Sequence, residues 1–300
     1  AARRKATYDF EGKGTEEEPF LLKSGDDFVT LQKYVNEDKI HFSGLHFQLA
    51  NDVYLPEDWE SIGNDETSTT MNVTAYFSGV LDGGGYQLNY AKGSQPLFKY
   101  TSQATIRNMK IYGEEIQGCG LINDLWLDYN NVGAWLENIT LVSGTSTLRA
   151  GLMQGNFSST NPSYINNCHA EEGVIIGYTK EGGSFGTFAG SMVGEISNCT
   201  SAATIYGGSN IGGMVGTKSN SMGRLNVTNC SFTGKIEATG NYIGGMVGRG
   251  YSAASAPNAT CVRIQNCYVN ADITGGNWVG GLFGGEYWIE QCWENGIGMI

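Results

Sequence analysis

The chain has 300 residues, of which 44 are glycine, only 5 are proline and 40% are hydrophobic. This composition is typical of many short strands joined by tight turns, and it excludes an intrinsically disordered chain. The 30 acidic and 18 basic residues give a net charge of −12, which argues against nucleic acid or an anionic membrane as the partner. The sequence contains no run of 18 apolar residues that would predict a membrane span.

A flexible segment over residues 1–17 is expected to precede a capping helix. In the stretch DDFVTLQKYVN, apolar residues recur at helical spacing, at Phe28, Leu31, Tyr34 and Val35. Ser24 precedes the stretch and is a good N-cap residue. An amphipathic helix at this place would cover the open edge of a sheet that begins next to it.

Residues 46–56, 59–64 and 76–90 predict strands and turns that follow this helix. We therefore assign residues 18–100 to the capping helix and the first coils of a repetitive fold.

A repeat of about 30 residues organises the chain from residue 101 to residue 300. The phrase apolar-x-Asn-apolar recurs, the last time with Gln for Asn, as IRNM (106–109), LENI (136–139), INNC (165–168), ISNC (196–199), VTNC (227–230), IQNC (264–267) and IEQC (289–292). Alternating stretches follow the phrases and indicate strands. Such a period, with two or three short strands in each repeat, is typical of a coil of a parallel β-helix.

The predicted fold class is therefore all-β, a right-handed parallel β-helix with an N-terminal capping α-helix. The handedness follows from the rule for parallel crossovers. We expect one continuous domain, with further coils or domains after residue 300.

Two positions of the phrase predict structural ladders. Val227 and Cys230 can both face inward only if the chain bends near Asn229, and Asn tolerates the left-handed backbone of such a bend. The predicted columns are Asn167, Asn198, Asn229 and Asn266, and Cys168, Cys199, Cys230, Cys267 and Cys292. We expect free stacked thiols, with disulfides between neighbouring coils as the alternative. Neither a Cys-x-x-Cys pair nor a group of histidines predicts a metal site.

A glycine-bracketed apolar quartet completes each repeat. It reads GMVG at 213–216 and 245–248 and GLFG at 281–284, with weaker versions at 120–122, 151–153 and 186–190. The quartets lack the Lys-Ser/Thr ending of a phosphate-binding loop. They are interpreted as turns and tight backbone packing, and no cofactor is expected.

These features together resemble bacterial surface proteins that carry GLUG repeats. The resemblance covers residues 18–300 and is carried by the N-terminal stretches PFLLKSGDDFVTLQKYVN, FQLANDVYLPEDWESIG and FSGVLDGGGYQL, by GLFG and by the two GMVG quartets. It implies an extracellular protein of gut or oral bacteria, either secreted or attached to the cell surface. In some immunoglobulin A proteases the same motif lies beside a peptidase domain, and the resemblance implies no chemistry within the repeats.

Exposed aromatic residues predict a binding surface. Asn210, Tyr242 and Trp278 each precede the Ile/Val-Gly-Gly of their repeat, so we expect them to form an outward ladder. A second set, Trp126, Tyr129 and Trp135, lies in the insertion 123–135. With the insertions 217–224 and 249–263, it is expected to emerge along one edge of the fold. Packing of loops onto the coils is the alternative role of these aromatic residues.

The sequence thus predicts a non-catalytic, monomeric surface rod that binds a host or microbial glycan or surface protein, or that acts as a spacer. The alternative is a polysaccharide-active β-helix lyase or glycosidase, which needs two carboxylates about 5–10 Å apart. Candidate carboxylates are Asp124, Asp128, Glu137, Glu171, Glu172, Glu181 and Glu195. Their spacing singles out no pair, so no catalytic residue is assigned.

Overall fold

The computed structural model describes residues 7–65, 73–125, 133–155, 162–219, 223–250 and 262–286. The helix is α1 (Gly25–Asn36). In the N-terminal part the strands are β1 (Phe20–Leu22), β2 (His46–Leu49), β3 (Val53–Tyr54), β4 (Asn64–Asp65), β5 (Val73–Ala75), β6 (Val80–Asp82), β7 (Gln87–Asn89) and β8 (Phe98–Thr101).

The strands of the repeats follow in the same numbering. They are β9 (Thr105–Tyr112), β10 (Ile122–Leu125), β11 (Trp135–Leu141), β12 (Ser146–Thr147), β13 (Ser163–Asn166), β14 (His169–Ala170), β15 (Ile175–Ile176), β16 (Ala189–Met192), β17 (Gly194–Ser197), β18 (Thr200–Ser201), β19 (Thr204–Gly207), β20 (Ile211–Gly212), β21 (Val215–Lys218), β22 (Leu225–Thr228), β23 (Ser231–Phe232), β24 (Lys235–Ala238), β25 (Ile243–Gly244), β26 (Val247–Gly250), β27 (Val262–Gln265), β28 (Tyr268–Val269), β29 (Asp272–Thr274), β30 (Val279–Gly280) and β31 (Phe283–Glu286).

Long parallel sheets dominate the fold, as the sequence predicts. Sheet 1 follows the path β1-β2-β6-β9-β11-β13-β17-β22-β27 and also contains β3, β7, β14, β18, β23 and β28. Sheet 2 is β12-β15-β19-β24-β29, sheet 3 is β20-β25-β30 and sheet 4 is β16-β21-β26-β31. Within the described residues, only β4 and β5 pair in antiparallel orientation.

The chain visits these sheets in a fixed order. From β22 and β23 in sheet 1 it passes through β24 in sheet 2, β25 in sheet 3 and β26 in sheet 4, and it returns to sheet 1 in β27. Each strand pairs with the strand at the same place in the next repeat, so equivalent residues form columns. One apolar column of sheet 1 consists of Phe20, Phe47, Leu81, Ile106, Leu136, Ile165, Ile196, Val227 and Ile264.

The weaker quartets keep the same register as the complete ones. Ile122 pairs with Met153, Met153 with Ala189, and Ala189 with Val215. The repeats from residue 120 to residue 216 therefore stack without a slip, although the sequence motif is degenerate there.

The helix packs onto the beginning of this structure. Phe28, Leu31 and Val35 are buried in the main core, and Asn36 Nδ2 donates to Ser61 O at 3.1 Å. Ser24 occupies the N-cap position, as the sequence predicts, but its side chain makes no capping hydrogen bond. Instead, the Asp27 carboxylate accepts the Lys23 N–H at 2.7 Å.

Residues 7–17, part of the segment expected to be flexible, pack onto the capping region. The Tyr8 ring packs edge-on against Phe20 and Tyr34, with centroids 5.8 and 5.3 Å apart. Backbone hydrogen bonds join Leu21 N to Glu11 O and His46 N to Gly14 O. Aromatic burial of this kind fixes the segment on the capping region, which hydropathy alone did not indicate. Across the described residues, no helix has the length and apolar character needed to cross a membrane.

The quartet glycines allow sheets 3 and 4 to touch backbone to backbone. A Cβ added at Gly248 in β26 would lie 2.6 Å from Ile211 N and 2.7 Å from Ile211 O in β20. A Cβ at Gly284 in β31 would lie 2.5 Å from Ile243 N in β25. No side chain fits such gaps, so glycine is required at this place because of packing between sheets.

We therefore expect Gly248→Ala to lower the free energy of unfolding by about 1–3 kcal/mol, the usual effect of overpacking. Urea denaturation followed by circular dichroism measures the change. Gly281→Ala is the matched control, because a Cβ at Gly281 meets no atom within 4 Å. Equal losses in the two variants would contradict a specific role for the contact between sheets.

Candidate binding surface

The Asn column forms the bend that the sequence predicts within sheet 1. Asn108, Asn138, Asn167, Asn198, Asn229 and Asn266 all have positive φ, between 51° and 57°. Their side chains also bond along the column: Asn138 Nδ2 donates to Asn108 Oδ1 at 3.0 Å, and Asn229 Nδ2 donates to Asn198 Oδ1 at 3.4 Å. Asn therefore serves twice, as a residue that tolerates the left-handed backbone and as a link between repeats.

The Cys column lies directly after the bend and carries free thiols. Cys168, Cys199 and Cys230 are buried, and Cys267 is partly buried. Each thiol reaches the carbonyl two residues earlier; for example, Cys199 Sγ donates to Ser197 O at 3.2 Å and Cys230 Sγ to Thr228 O at 3.3 Å. The four described cysteines of the column thus form the predicted thiol ladder rather than disulfides, while Cys292 lies outside the described residues.

The environment of the Cys199 and Cys230 thiols suppresses the reactive thiolate form. Burial raises the pKa of the Cys199 thiol. The hydrogen bond with Cys199, assisted by burial, raises the pKa of Cys230 to about 12. The ladder is therefore structural, because only a thiolate is an efficient nucleophile.

We expect iodoacetamide at about pH 8 to label Cys199 and Cys230 only after the protein unfolds, and to label Cys267 sooner because it is partly exposed, although its hydrogen bond with Cys230 also raises the pKa of its thiol. Peptide-resolved mass spectrometry with and without urea measures the order. Labelling of Cys199 as fast as that of Cys267 in the native protein would contradict a buried ladder.

The predicted outward ladder occupies the residue before each strand of sheet 3. Backbone bonds join it from repeat to repeat: Phe185 N donates to Asn210 O, Ile211 N to Tyr242 O and Ile243 N to Trp278 O. The column therefore also contains Ser184, which sequence reasoning missed because the quartet of its repeat is degenerate. We call Ser184, Asn210, Tyr242 and Trp278 the ladder.

The backbone of the ladder is left-handed at every position. The φ angles are 57° at Ser184, 61° at Asn210, 63° at Tyr242 and 61° at Trp278. Asn enters this region readily, whereas a bulky side chain there is an outlier that costs roughly 1–2 kcal/mol. Two aromatic residues thus occupy positions that the backbone conformation disfavours for them.

Tyr242 and Trp278 form a stacked aromatic pair beside sheet 4. Their rings are nearly parallel, 6° apart, with centroids separated by 6.1 Å, and Trp278 is 55% exposed. The Arg249 guanidinium lies 4.8 Å from the centroid of the Tyr242 ring. A Cβ at Gly285 would lie 3.2 Å from Tyr242 Cδ1, so the absence of a side chain there leaves room for the tyrosine.

An open groove of about 610 Å³ adjoins the Ser184 end of the ladder. Its lining consists of Leu148, Arg149, Gln154, Gly155, Thr179, Glu181, Gly182, Gly183, Ser184, Phe185 and Ser191. Ser184 belongs to both features: its hydroxyl accepts hydrogen bonds from Asn210 Nδ2 at 3.4 Å and from Thr217 Oγ1 at 3.3 Å. Ladder and groove therefore form one continuous surface.

The second aromatic set is only partly described. Trp126 and Tyr129 lie outside the described residues, as does Asp128. Trp135 is the first residue of β11 rather than part of a loop, so its assignment to the insertion was wrong. It is 47% exposed and stacks on Tyr164 in the next repeat, with centroids 4.3 Å apart. Sequence reasoning missed Tyr164, whose pairing with Trp135 becomes visible only in register.

The insertions are shorter than the sequence suggested, but their flanks do lie along one edge. Thr217 and Lys218 belong to β21, and Arg249 and Gly250 belong to β26. The insertions after β10, β21 and β26 each precede a strand of sheet 1. Strands β21 and β26 belong to sheet 4, and β10 is bridged to sheet 4 through Met153. The flanking strands pair from repeat to repeat, β21 with β26 and β22 with β27.

The candidate carboxylates are dispersed. Glu171 accepts the Ser143 N–H at 2.8 Å, and Glu137 accepts a bond from Asn166 Nδ2 at 3.3 Å. Asp124 lies in β10 and Glu195 in β17, and Glu172 is exposed. Among the candidates that the structure describes, Glu181 alone lines the groove. In the part of the chain that the structure describes, no three His, Cys, Asp or Glu residues are grouped so that they could hold a metal ion.

No family model matches the chain, and no curated protein matches it. Among solved structures, the chain is similar to a crystal structure of a "putative immunoglobulin A1 protease" from Bacteroides ovatus. The two are 18% identical with a TM-score of 0.62, and the match covers 93% of this chain and 85% of that chain. A likeness at this identity shows a shared fold.

Proposed function

We propose that this chain is a right-handed parallel β-helix of the GLUG-repeat type, and that it is a non-catalytic glycan-binding module of a bacterial surface or secreted protein. The ladder is its binding surface. The fold assignment is supported by the cyclic order of the parallel sheets and by in-register columns. The location is supported by the sequence resemblance and the acidity of the chain.

The observation that carries the binding proposal is the placement of Tyr242 and Trp278 at left-handed positions. Ser184 and Asn210 show that the same backbone position accepts small polar residues, so the fold does not need aromatic rings there. Strained residues of this kind cluster at binding and active sites. The neighbouring Arg249 and the flat exposed indole provide the stacking and polar contacts by which proteins hold sugar rings.

The competing function is cleavage of a polysaccharide, and the observation that favours it is the presence of the Glu181 carboxylate in the groove. Glycoside cleavage requires a second carboxylate within about 10 Å. New reducing ends or unsaturated products from plant or host polysaccharides, abolished by Glu181→Gln, would replace the binding proposal. The similarity to the Bacteroides protein is a similarity of fold at 18% identity, so the peptidase activity in that protein's name is not assigned to this chain.

We expect Trp278→Asn to abolish glycan binding. The free energy of unfolding should stay unchanged or rise by about 1 kcal/mol. Asn relieves the left-handed strain, because it is a favoured residue in this region. Glycan arrays identify the ligand of the purified wild-type chain. Calorimetric titration with that ligand then compares the variants, with the melting temperature recorded in parallel.

Tyr268→Asn is the matched control, since Tyr268 in sheet 1 is 58% exposed and thus as accessible as Trp278. It should bind as the wild type does. If Trp278→Asn bound normally and melted earlier, the aromatic pair would be a packing element and the proposal would be wrong. If no glycan bound to the wild-type chain, the module would be a spacer.

A further inference from the structure

The ladder and the groove meet at Ser184, where two amide side chains converge. Gln154 Nε2 donates to Ser184 O at 3.0 Å, and Asn210 Nδ2 donates to Ser184 Oγ at 3.4 Å. The other ends of these amides, Gln154 Oε1 and Asn210 Oδ1, are buried and accept no hydrogen bond from any described residue. A buried acceptor without a donor costs about 1–3 kcal/mol, so a ligand that opens this junction and brings donors to the two oxygens is favoured.

The charge around the junction favours an uncharged ligand. Arg149 and Glu181 both line the groove, so its charged residues are balanced. The two unpaired oxygens repel anions, and the chain as a whole carries −12. Hydroxyl groups satisfy these acceptors without introducing charge.

The length of the surface indicates an extended ligand. From the repeat that contributes Gln154, four steps lead through Ser184, Asn210 and Tyr242 to Trp278. At about 4.8 Å per step the distance along the columns is about 19 Å. A single sugar ring covers only one end of such a surface.

We propose that the ligand is a neutral oligosaccharide chain that lies parallel to the columns. One sugar ring stacks on Trp278, and the hydroxyls of a ring several units away bind where ladder and groove meet, through Asn210 of the ladder and Gln154 and Glu181 of the groove. This rests on the proposed glycan-binding function and adds to it the charge, the length and the direction of the ligand.

The test titrates the full chain with neutral gluco-, manno- and xylo-oligosaccharides from disaccharide to hexasaccharide, and with oligogalacturonides of the same lengths. The wild-type chain should bind one neutral series about tenfold more tightly as hexasaccharide than as disaccharide, a gain of about 1.4 kcal/mol. The oligogalacturonides should bind at least about tenfold more weakly at each length. Gln154→Leu and Glu181→Gln should remove the gain with length, so that the hexasaccharide binds no more tightly than the disaccharide, whereas Trp278→Asn should abolish binding at every length.

The outcomes separate this inference from the proposed function. Trp278-dependent binding with the same affinity at all lengths, or a gain with length that survives both groove variants, would overturn the inference and leave the function standing. Tighter binding of the anionic oligogalacturonides would overturn the inference that the ligand is neutral. Binding of no oligosaccharide in any series would overturn both. Melting temperatures identify a groove variant that fails to fold, and the other groove variant then decides the test.

Discussion

In-register parallel hydrogen bonding between consecutive repeats is the interaction on which the rest of this structure depends. Asn198 N donates to Thr228 O at 3.1 Å, and Asn229 N donates to Gln265 O at 3.0 Å one repeat later. A parallel strand cannot pair with its neighbour in the chain through a short turn. Each repeat is therefore stable only when the next repeat places its backbone N–H and C=O groups in register with it. The bend must recur at one position, and Asn recurs there for that reason.

Register also explains where the chain varies in length. The repeat from Asn229 to Asn266 is the longest, yet β22 pairs with β27 and β26 with β31 without a shift. The extra residues lie between sheet 4 and sheet 1, where no column is interrupted. Variation in length at the other corners would displace the Asn bend or the close contact between sheets 3 and 4. That contact leaves no room for a side chain at Gly216, where a Cβ would lie only 2.6 Å from Phe185 N.

Much of the fold could be predicted because its features recur at a fixed spacing. The Asn bend, the buried thiols and the parallel pairing all follow from one repeated phrase. Features that depend on two repeats at once could not be found in this way. Tyr164 next to Trp135, Ser184 in the ladder and the groove between Leu148 and Ser191 become neighbours only when residues about 30 apart are stacked. The aromatic packing of Tyr8 escaped because its partners come from three separate segments.

The ladder separates what the fold requires from what it tolerates. Along one backbone column with the same left-handed φ, the side chain changes from hydroxyl to amide to phenol to indole. Asn210 and Tyr242 make the same pair of backbone hydrogen bonds although one is an amide and the other a phenol, so the fold fixes the backbone conformation there but not the side chain. Small residues satisfy that conformation at lower free energy than aromatic rings do. The aromatic end therefore has to be explained by what it faces, the open surface above Arg249 and Gly285, and the polar end by the groove that Ser184 helps to form.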